Sequence, residues 1–324
     1  MPLSHKPRNA VLRGLRSIAV AALLLISLAP LAAEDVRVPL GQPSADALRK
    51  VQRWVWFTGP PDVAALAGSP ATMVIVDPEG VSAPSVQRLK RIGRRQGRLV
   101  LAQIDIAMLT RAREPGSEIT LEPAPGWLGP PACGMGWHRI RYWQVGWQDA
   151  LFRDDTSYVM QLLARGYDGL VLGGIEAYRP WQTERWQAAI EMAELVSELA
   201  IAIKTRRPST LILLRNGEEI GAHPDVLKAI DGIVRADLLY GARVKGAANS
   251  EATTARSVRN LAAARRAGLA LFSLERIADK TAAATADRLA RGFGLLPGES
   301  AARGGQLVRP AVPPAFDVAG WPHC

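Results

Sequence analysis

The stretch GYDGLVLGGIEAYRPW, residues 166–181, decides the fold. Its apolar run into Gly173-Gly174 is continuous rather than alternating, as in a strand buried on both faces of a parallel sheet. Runs of the same kind recur as RWVWFT (53–58), TMVIVD (72–77), RLVLAQID (98–105), STLILLRN (209–216), DGIVRADLLY (231–240) and GLALFSLE (268–275), with GFGLLP (292–297) as an eighth. Segments of helical spacing lie between them. PSVQRLKRIGRRQG (84–97) places Val86, Leu89 and Ile92 at three-residue steps. ERWQAAIEMAELVSELAIAIKTRRP (184–208) ends on basic residues before Pro208, and SEATTARSVRNLAAARRAG (250–268) opens on a Ser cap and closes on Gly268. Eight β-then-α units in about 250 residues predict an α/β fold, a single-domain (β/α)8 TIM barrel. A doubly wound open sheet shares the alternation and stands as the alternative.

Composition agrees with a packed domain: 48% of the 324 residues are hydrophobic and 22% charged. The expected organisation is a signal peptide at 1–33, a linker at 34–50, the barrel at 51–300 and a tail at 301–324. Lys6, Arg8, Arg13 and Arg16 precede an apolar run from Ile18 to Leu31 and the small-residue site LAAED, with Ala33 the last residue removed. That run falls short of the roughly 20 residues of a membrane span, and an uncleaved anchor is the competing reading. The chain is therefore expected to be exported, to the periplasm or the outside. Its net charge of +10 includes those four cations, so the mature chain carries +6, spread over helices as in RLKRIGRRQGR. Solvated helix faces explain this without nucleic acid. Cys133 and Cys324 are a candidate disulfide in an oxidising compartment. With four scattered His and no CxxC, no metal or other cofactor is expected.

The connection from Ile106 to about Asp155 carries EPAPGWLGPPACGMGWHRIRYWQVGW, rich in Gly, Pro and Trp. A connection this long in a compact domain is usually functional or disordered, and its Trp content argues against disorder. In a barrel it would rise from the face where active sites are built.

Six motifs in order resemble glycoside hydrolase family 114, the endo-α-1,4-polygalactosaminidase-like proteins, over about Trp54 to Pro297. They are VIVDPEG, RLVLAQID, the Trp-rich segment with Trp127, Trp137, Trp143 and Trp147, GYDGLVLGGIEAY, LLRNGEEI and DGIVRADLLYG. The resemblance implies a (β/α)8 barrel acting on amino-sugar polymers. It also exposes departures. The family's strand-end Asp is Gly173 here, the Glu of its Arg-Glu-Asp pattern is Ala236, and the Glu of its Ile-Gly-Glu turn falls near Met108. The Asp of the penultimate strand becomes Glu275. The resemblance implies that the first two positions supply the catalytic carboxylates.

Glycoside hydrolysis needs two carboxyl groups flanking the scissile bond, roughly 5–9.5 Å apart. Among Asp77, Asp105, Glu176, Glu218, Asp237 and Glu275, the best relocated pair is Asp105 with Glu176, and Asp77 is a third catalytic candidate. Their competing reading is loop acids paired with arginines such as Arg179. Asp168 and Asp231, each before a Gly, read as turn residues. Nine tryptophans suggest sugar stacking. The substrate-binding candidates are Trp56, Trp127, Trp143, Trp147, Trp181, Asn216, Tyr240 and Glu275. Trp143 and Trp147 read equally well as one packed helix face. The function expected is an exported barrel that acts on or binds an amino-sugar polymer with its catalytic carboxylates degraded. An active hydrolase with relocated carboxylates and a non-catalytic envelope scaffold are the alternatives.

Overall fold

The structure is a computed structural model, and it describes residues 42–57, 62–92, 95–110, 125–132, 137–242, 244, 246–277 and 279–301. The segment 1–33 expected as a signal peptide, Cys133, Cys324 and most of the expected tail lie outside the described residues. The described residues all fall in one compact unit. No helix among the described residues is long and apolar enough to cross a membrane.

Eight parallel strands form a nearly closed barrel: β1 Trp54–Phe57, β2 Met73–Val76, β3 Leu99–Asp105, β4 Gly169–Gly173, β5 Leu211–Arg215, β6 Gly232–Ala236, β7 Ala270–Leu274 and β8. Each pairs with its neighbour in sequence. This sequential winding excludes the doubly wound alternative, whose strand order reverses. The eighth strand differs from its reading as 292–297. It is split at Gly298 into Leu296–Pro297, paired with β7, and Glu299–Ala301, paired with β1. The Trp54 indole fills the seam, donating from Nε1 to Leu296 O at 3.0 Å. A Cβ at Gly298 would lie 2.1 Å from Trp54 Cε2, so only glycine fits there.

Period-2 alternation sorts the strand residues between two cores. Trp54, Trp56, Met73, Ile75, Leu101, Val171, Leu213, Val234 and Phe272 fill the barrel interior. Val55, Val74, Val100, Leu170, Ile212 and Ile233 face the helices. Burying each such side chain favours the fold by about 1.5–3 kcal/mol before chain entropy is counted. The stretch expected as a linker is helical over Gln42–Arg49, because Leu48 and the following Val51 join the interior cluster.

Three further expectations need correction. The 84–97 helix stops at Leu89, after Val86 and Leu89 are buried, and the chain turns into a short hairpin, Arg91–Ile92 with Arg95–Gln96. The 231–240 strand ends at Ala236, because Asp237 adopts a left-handed φ of 56°. The Trp-rich connection includes a three-stranded antiparallel sheet of Met108–Thr110, Leu128–Ala132 and Trp137–Ile140.

Asp168 and Asp231 anchor the opposite end from the strand termini. Asp168 pairs with Lys90 at 2.7 Å and accepts from Val100 N. Asp231 pairs with Lys204 at 2.9 Å and accepts from Ile212 N. In each case an aspartate before one strand ties down the start of the preceding strand and a lysine, Lys204 within a helix and Lys90 at a helix C-cap. Those positions are structural.

Candidate functional site at the barrel mouth

Barrel enzymes build their sites where the strands end, from residues at or just past the C-terminal positions. In this chain the last inward positions include Trp56, Asp105, Gly173, Arg215, Ala236 and Leu274, with Asp77 one residue beyond β2. Asp105 and Gly173 are register partners on adjacent strands. Arg215 Nη2 donates to Asp105 Oδ1 at 3.1 Å, and the Arg215 guanidinium lies 5.7 Å from the Trp56 ring centroid.

This ion pair crosses the face of Gly173. A Cβ there would stand 2.2 Å from Asp105 Oδ1 and 3.0 Å from Arg215 Cζ. The space a side chain at 173 would need is filled by the pair. No carboxylate at 173 fits unless Asp105 or Arg215 moves. At the second departure, Ala236 is buried; its N–H donates to Asn216 Oδ1 at 2.9 Å and its carbonyl accepts from Arg235 Nη1. Asn216 thus serves the backbone from a left-handed φ of 55°.

Around this layer runs a ring of paired charges. Arg235 Nε lies 3.1 Å from Glu218 Oε1, with both side chains buried. Burial works against the Arg235 charge, but Glu218, Glu176, Asp237 and Glu275 outweigh it and hold the guanidinium above its usual range. Glu176 follows Gly174, whose φ of 74° turns the chain out of β4. Burial raises the Glu176 carboxyl above the usual carboxylate range; Arg235 opposes this and Glu218 adds to it. Arg179, the partner expected for the loop acids, bonds Glu219 at 2.7 Å instead. Asp237 takes Arg276, with Nε donating to Oδ1 at 2.8 Å.

Glu275 is 3% exposed and holds the loop after β6. Its Oε1 accepts from Leu238 N and Leu239 N, and its Oε2 from Tyr240 N, at 2.9–3.1 Å. Burial pushes its carboxyl up to about 7, against the lowering effect of those backbone donors. The loop also forms a bridge between half-buried Tyr240 and Ala248.

The tryptophans expected to line a groove pack mainly on one another and on arginines. Trp147 is 5% exposed and its indole N–H donates to Ile106 O at 2.8 Å. Trp127 lies against it, centroids 5.0 Å apart. Trp181 is 3% exposed and meets Trp143 edge-on at 5.1 Å. Arg185 sits 4.8 Å over Trp143 and bonds Glu191. Trp56 is buried in the barrel interior. Trp127, Trp137 and Trp143 keep part of their surface open, whereas Trp147, Trp181 and Trp56 do not.

The structure therefore brings Asp77, Asp105, Glu176 and Trp56 to one end of the barrel. It joins Asn216, Tyr240 and Glu275 to the backbone beside them. Sequence reasoning missed Arg215 and Arg235. Arg215 had a readable signal, since it follows Leu211 and Leu213 at inward spacing; Arg235 faces the helices, where only the fold reveals Glu218. Among the described residues no group of three or more His, Cys, Asp or Glu is placed to hold a metal ion.

No family model matches the chain. A stretch of 102 residues, 30% of the chain, is 33% identical to an uncharacterized protein of Thermotoga maritima, and the match spans only 30% of that relative's length. Among solved structures, the glycoside hydrolase domain of PelA from Pseudomonas aeruginosa superposes with a TM-score of 0.60 at 15% identity, over 79% of this chain and 96% of that one. Ega3 of Aspergillus fumigatus, solved in complex with galactosamine, gives 0.54 at 13% identity, over 80% and 93%. At these identities the likeness is one of fold, and it agrees with the resemblance carried by the strand motifs. The chain is a (β/α)8 barrel similar in structure to the glycoside hydrolase domain of PelA and to Ega3.

Proposed function

We propose that this barrel binds a carbohydrate polymer of the amino-sugar type across its C-terminal face without cutting it, as an exported protein of the periplasm or the outside. The observation that carries this reading is the Asp105–Arg215 pair lying in the space in front of Gly173. A glycosidase keeps one carboxyl group ready to donate a proton and a second free to attack or activate water. Here the residue types at 173 and 236 supply neither, and Asp105 is committed to a guanidinium. The galactosamine bound in the Ega3 structure supports the amino-sugar class.

One observation favours a second reading. The raised pKa of Glu176 is the property a general acid needs near neutral pH. If Glu176 protonates a leaving oxygen, the partner carboxylate is Asp105 or Asp77, and the protein is a hydrolase with a relocated pair. Calorimetric titration of the purified protein with galactosamine and glucosamine polymers tests the binding common to both. Saturable binding is expected; heats no larger than dilution for every polymer would remove the polymer as ligand.

A further inference from the structure

The antiparallel strand Trp137–Ile140 leads into Arg141, and its alternation places Trp137, Arg139 and Arg141 on one side and buried Ile140 on the other. Trp181, from the connection after β4, lies against the first side. The guanidinium carbon of Arg139 is 4.5 Å from the Trp181 ring centroid, and that of Arg141 is 5.8 Å away. Close approach is possible because residue 129 is glycine: a Cβ there would lie 2.5 Å from Arg139 O and 2.9 Å from Trp181 Cζ2. Arg141 is fixed further by donating from Nη1 to Gly126 O at 2.9 Å and Leu128 O at 2.5 Å. Trp143 backs Trp181 from its edge.

One feature sets these arginines apart from those of the mouth. Arg179, Arg215, Arg235 and Arg276 each face a carboxylate. Among the described residues neither Arg139 nor Arg141 pairs with one, and both keep part of their surface open to solvent. A guanidinium stacked on indole is held in orientation while its N–H edge remains available. That edge matches a carboxylate or phosphate. Among the described residues these cations are held by stacking and, for Arg141, by backbone carbonyls rather than by acids, which lowers the ordering cost of binding an anion.

We infer that Arg139 and Arg141 on Trp181 form an anion-recognition ledge beside the barrel mouth, which takes the acidic substituents of a glycan lying across the C-terminal face. This rests on the reading that the face binds a carbohydrate polymer, and it sets that polymer's class: amino-sugar units accompanied by carboxylate or phosphate. The connections after β3 and β4 carry the two halves of the ledge, so a chain crossing from the ledge to the Asp105–Arg215 pair stays on one side of the barrel.

The test is calorimetric titration of the purified protein and its Arg139→Gln, Arg139→Lys and Arg139→Gln/Arg141→Gln variants. The probes are polygalacturonate, phosphorylated dextran, neutral N-acetylglucosamine oligomers and a galactosamine polymer. Among the described residues the Arg139 side chain makes no hydrogen bond, so Arg139→Gln is the variant that best separates recognition from folding. Expected is a loss of about tenfold in affinity for at least one acidic probe with Arg139→Gln, partial retention with Arg139→Lys, and affinity for neutral oligomers unchanged. Polygalacturonate against phosphorylated dextran decides between carboxylate and phosphate. Binding of neutral or galactosamine polymers with no preference for acidic ones would overturn the ledge and leave the polymer reading standing. Acid-selective binding lost in Arg139→Gln without affinity for any amino-sugar polymer would uphold the ledge and overturn the amino-sugar class. No binding to any probe would overturn both.

Discussion

Arg215 and Asp105 form a 3.1 Å ion pair directly in front of Gly173, and the pair and the glycine depend on one another. The backbone of Gly173 is ordinary extended strand, so only lack of space excludes a side chain. Gly173→Ala is therefore expected to cost about 1–3 kcal/mol through overpacking. Asp105→Ala in the same chain should recover part of that loss, because it removes the atom the new methyl group meets. A double-mutant cycle of thermal melts checks this. Additive effects would show that the two residues do not compete for space.

Glu275 gives the fold a pH dependence of defined sign. Its carboxyl rises from 4.5 to about 7 in the folded protein, chiefly through burial. The folded state then binds more protons than the unfolded one between those values. Stability from this group is fully present below pH about 4.5 and lost as pH rises toward 7, a difference of roughly 3 kcal/mol. Comparing melts at pH 5 and pH 7.5 in wild type and Glu275→Gln isolates it. The variant should show the smaller change between the two pH values; equal changes would mean that Glu275 does not titrate in this range.

The barrel was legible because its signal is redundant. Six of the eight apolar runs fall within two residues of a strand at each end; GFGLLP starts four residues before Leu296, and DGIVRADLLY has an apolar tail that is a loop, held by Glu275 in place of strand partners. The helix read through Ile92 failed for a related reason: three-residue spacing continues past Leu89, but the backbone turns into a hairpin there. At the mouth, the sequence put Asp77, Asp105 and Glu176 at or just past strand ends, yet gave no sign of their partners. Arg179 was the sequence-near choice for Asp105 and Glu176. Arg215 and Arg235 come from other strands, and only three-dimensional register places them. The tryptophans were the least legible, since one composition suits both a sugar platform and a packed cluster: Trp147, Trp181 and Trp56 are buried, while Trp127, Trp137 and Trp143 stay partly open.

The two aspartate–lysine anchors should differ sharply in strength despite matching geometry. The side chains of Lys204 and Asp231 are 3% and 4% exposed, against 26% and 27% for Lys90 and Asp168. Lys204→Met strands a buried carboxylate whose pKa burial already raises, and is expected to cost about 3–5 kcal/mol. Lys90→Met should cost about 1 kcal/mol or less. Urea unfolding of both variants makes the comparison, and equal losses would contradict it.

The seam of the barrel is a further point of sensitivity. Gly298→Ala puts a methyl group into the Trp54 indole and should disturb the pairing of β8 with both neighbours. A loss of at least about 1–3 kcal/mol is expected, with faster hydrogen exchange in residues 296–301. Unchanged exchange there would show that β8 does not depend on the Trp54 contact.

The central claim is that the mouth binds without cutting, and release of new reducing ends tests it most directly. Purified protein is incubated to long times with galactosamine polymer, beside Asp105→Asn, Asp77→Asn and Glu176→Gln variants. No release above a heat-denatured control, from a sample that binds the polymer, is the predicted result. Release abolished by Glu176→Gln together with Asp105→Asn or Asp77→Asn would contradict it and establish a hydrolase with a relocated pair.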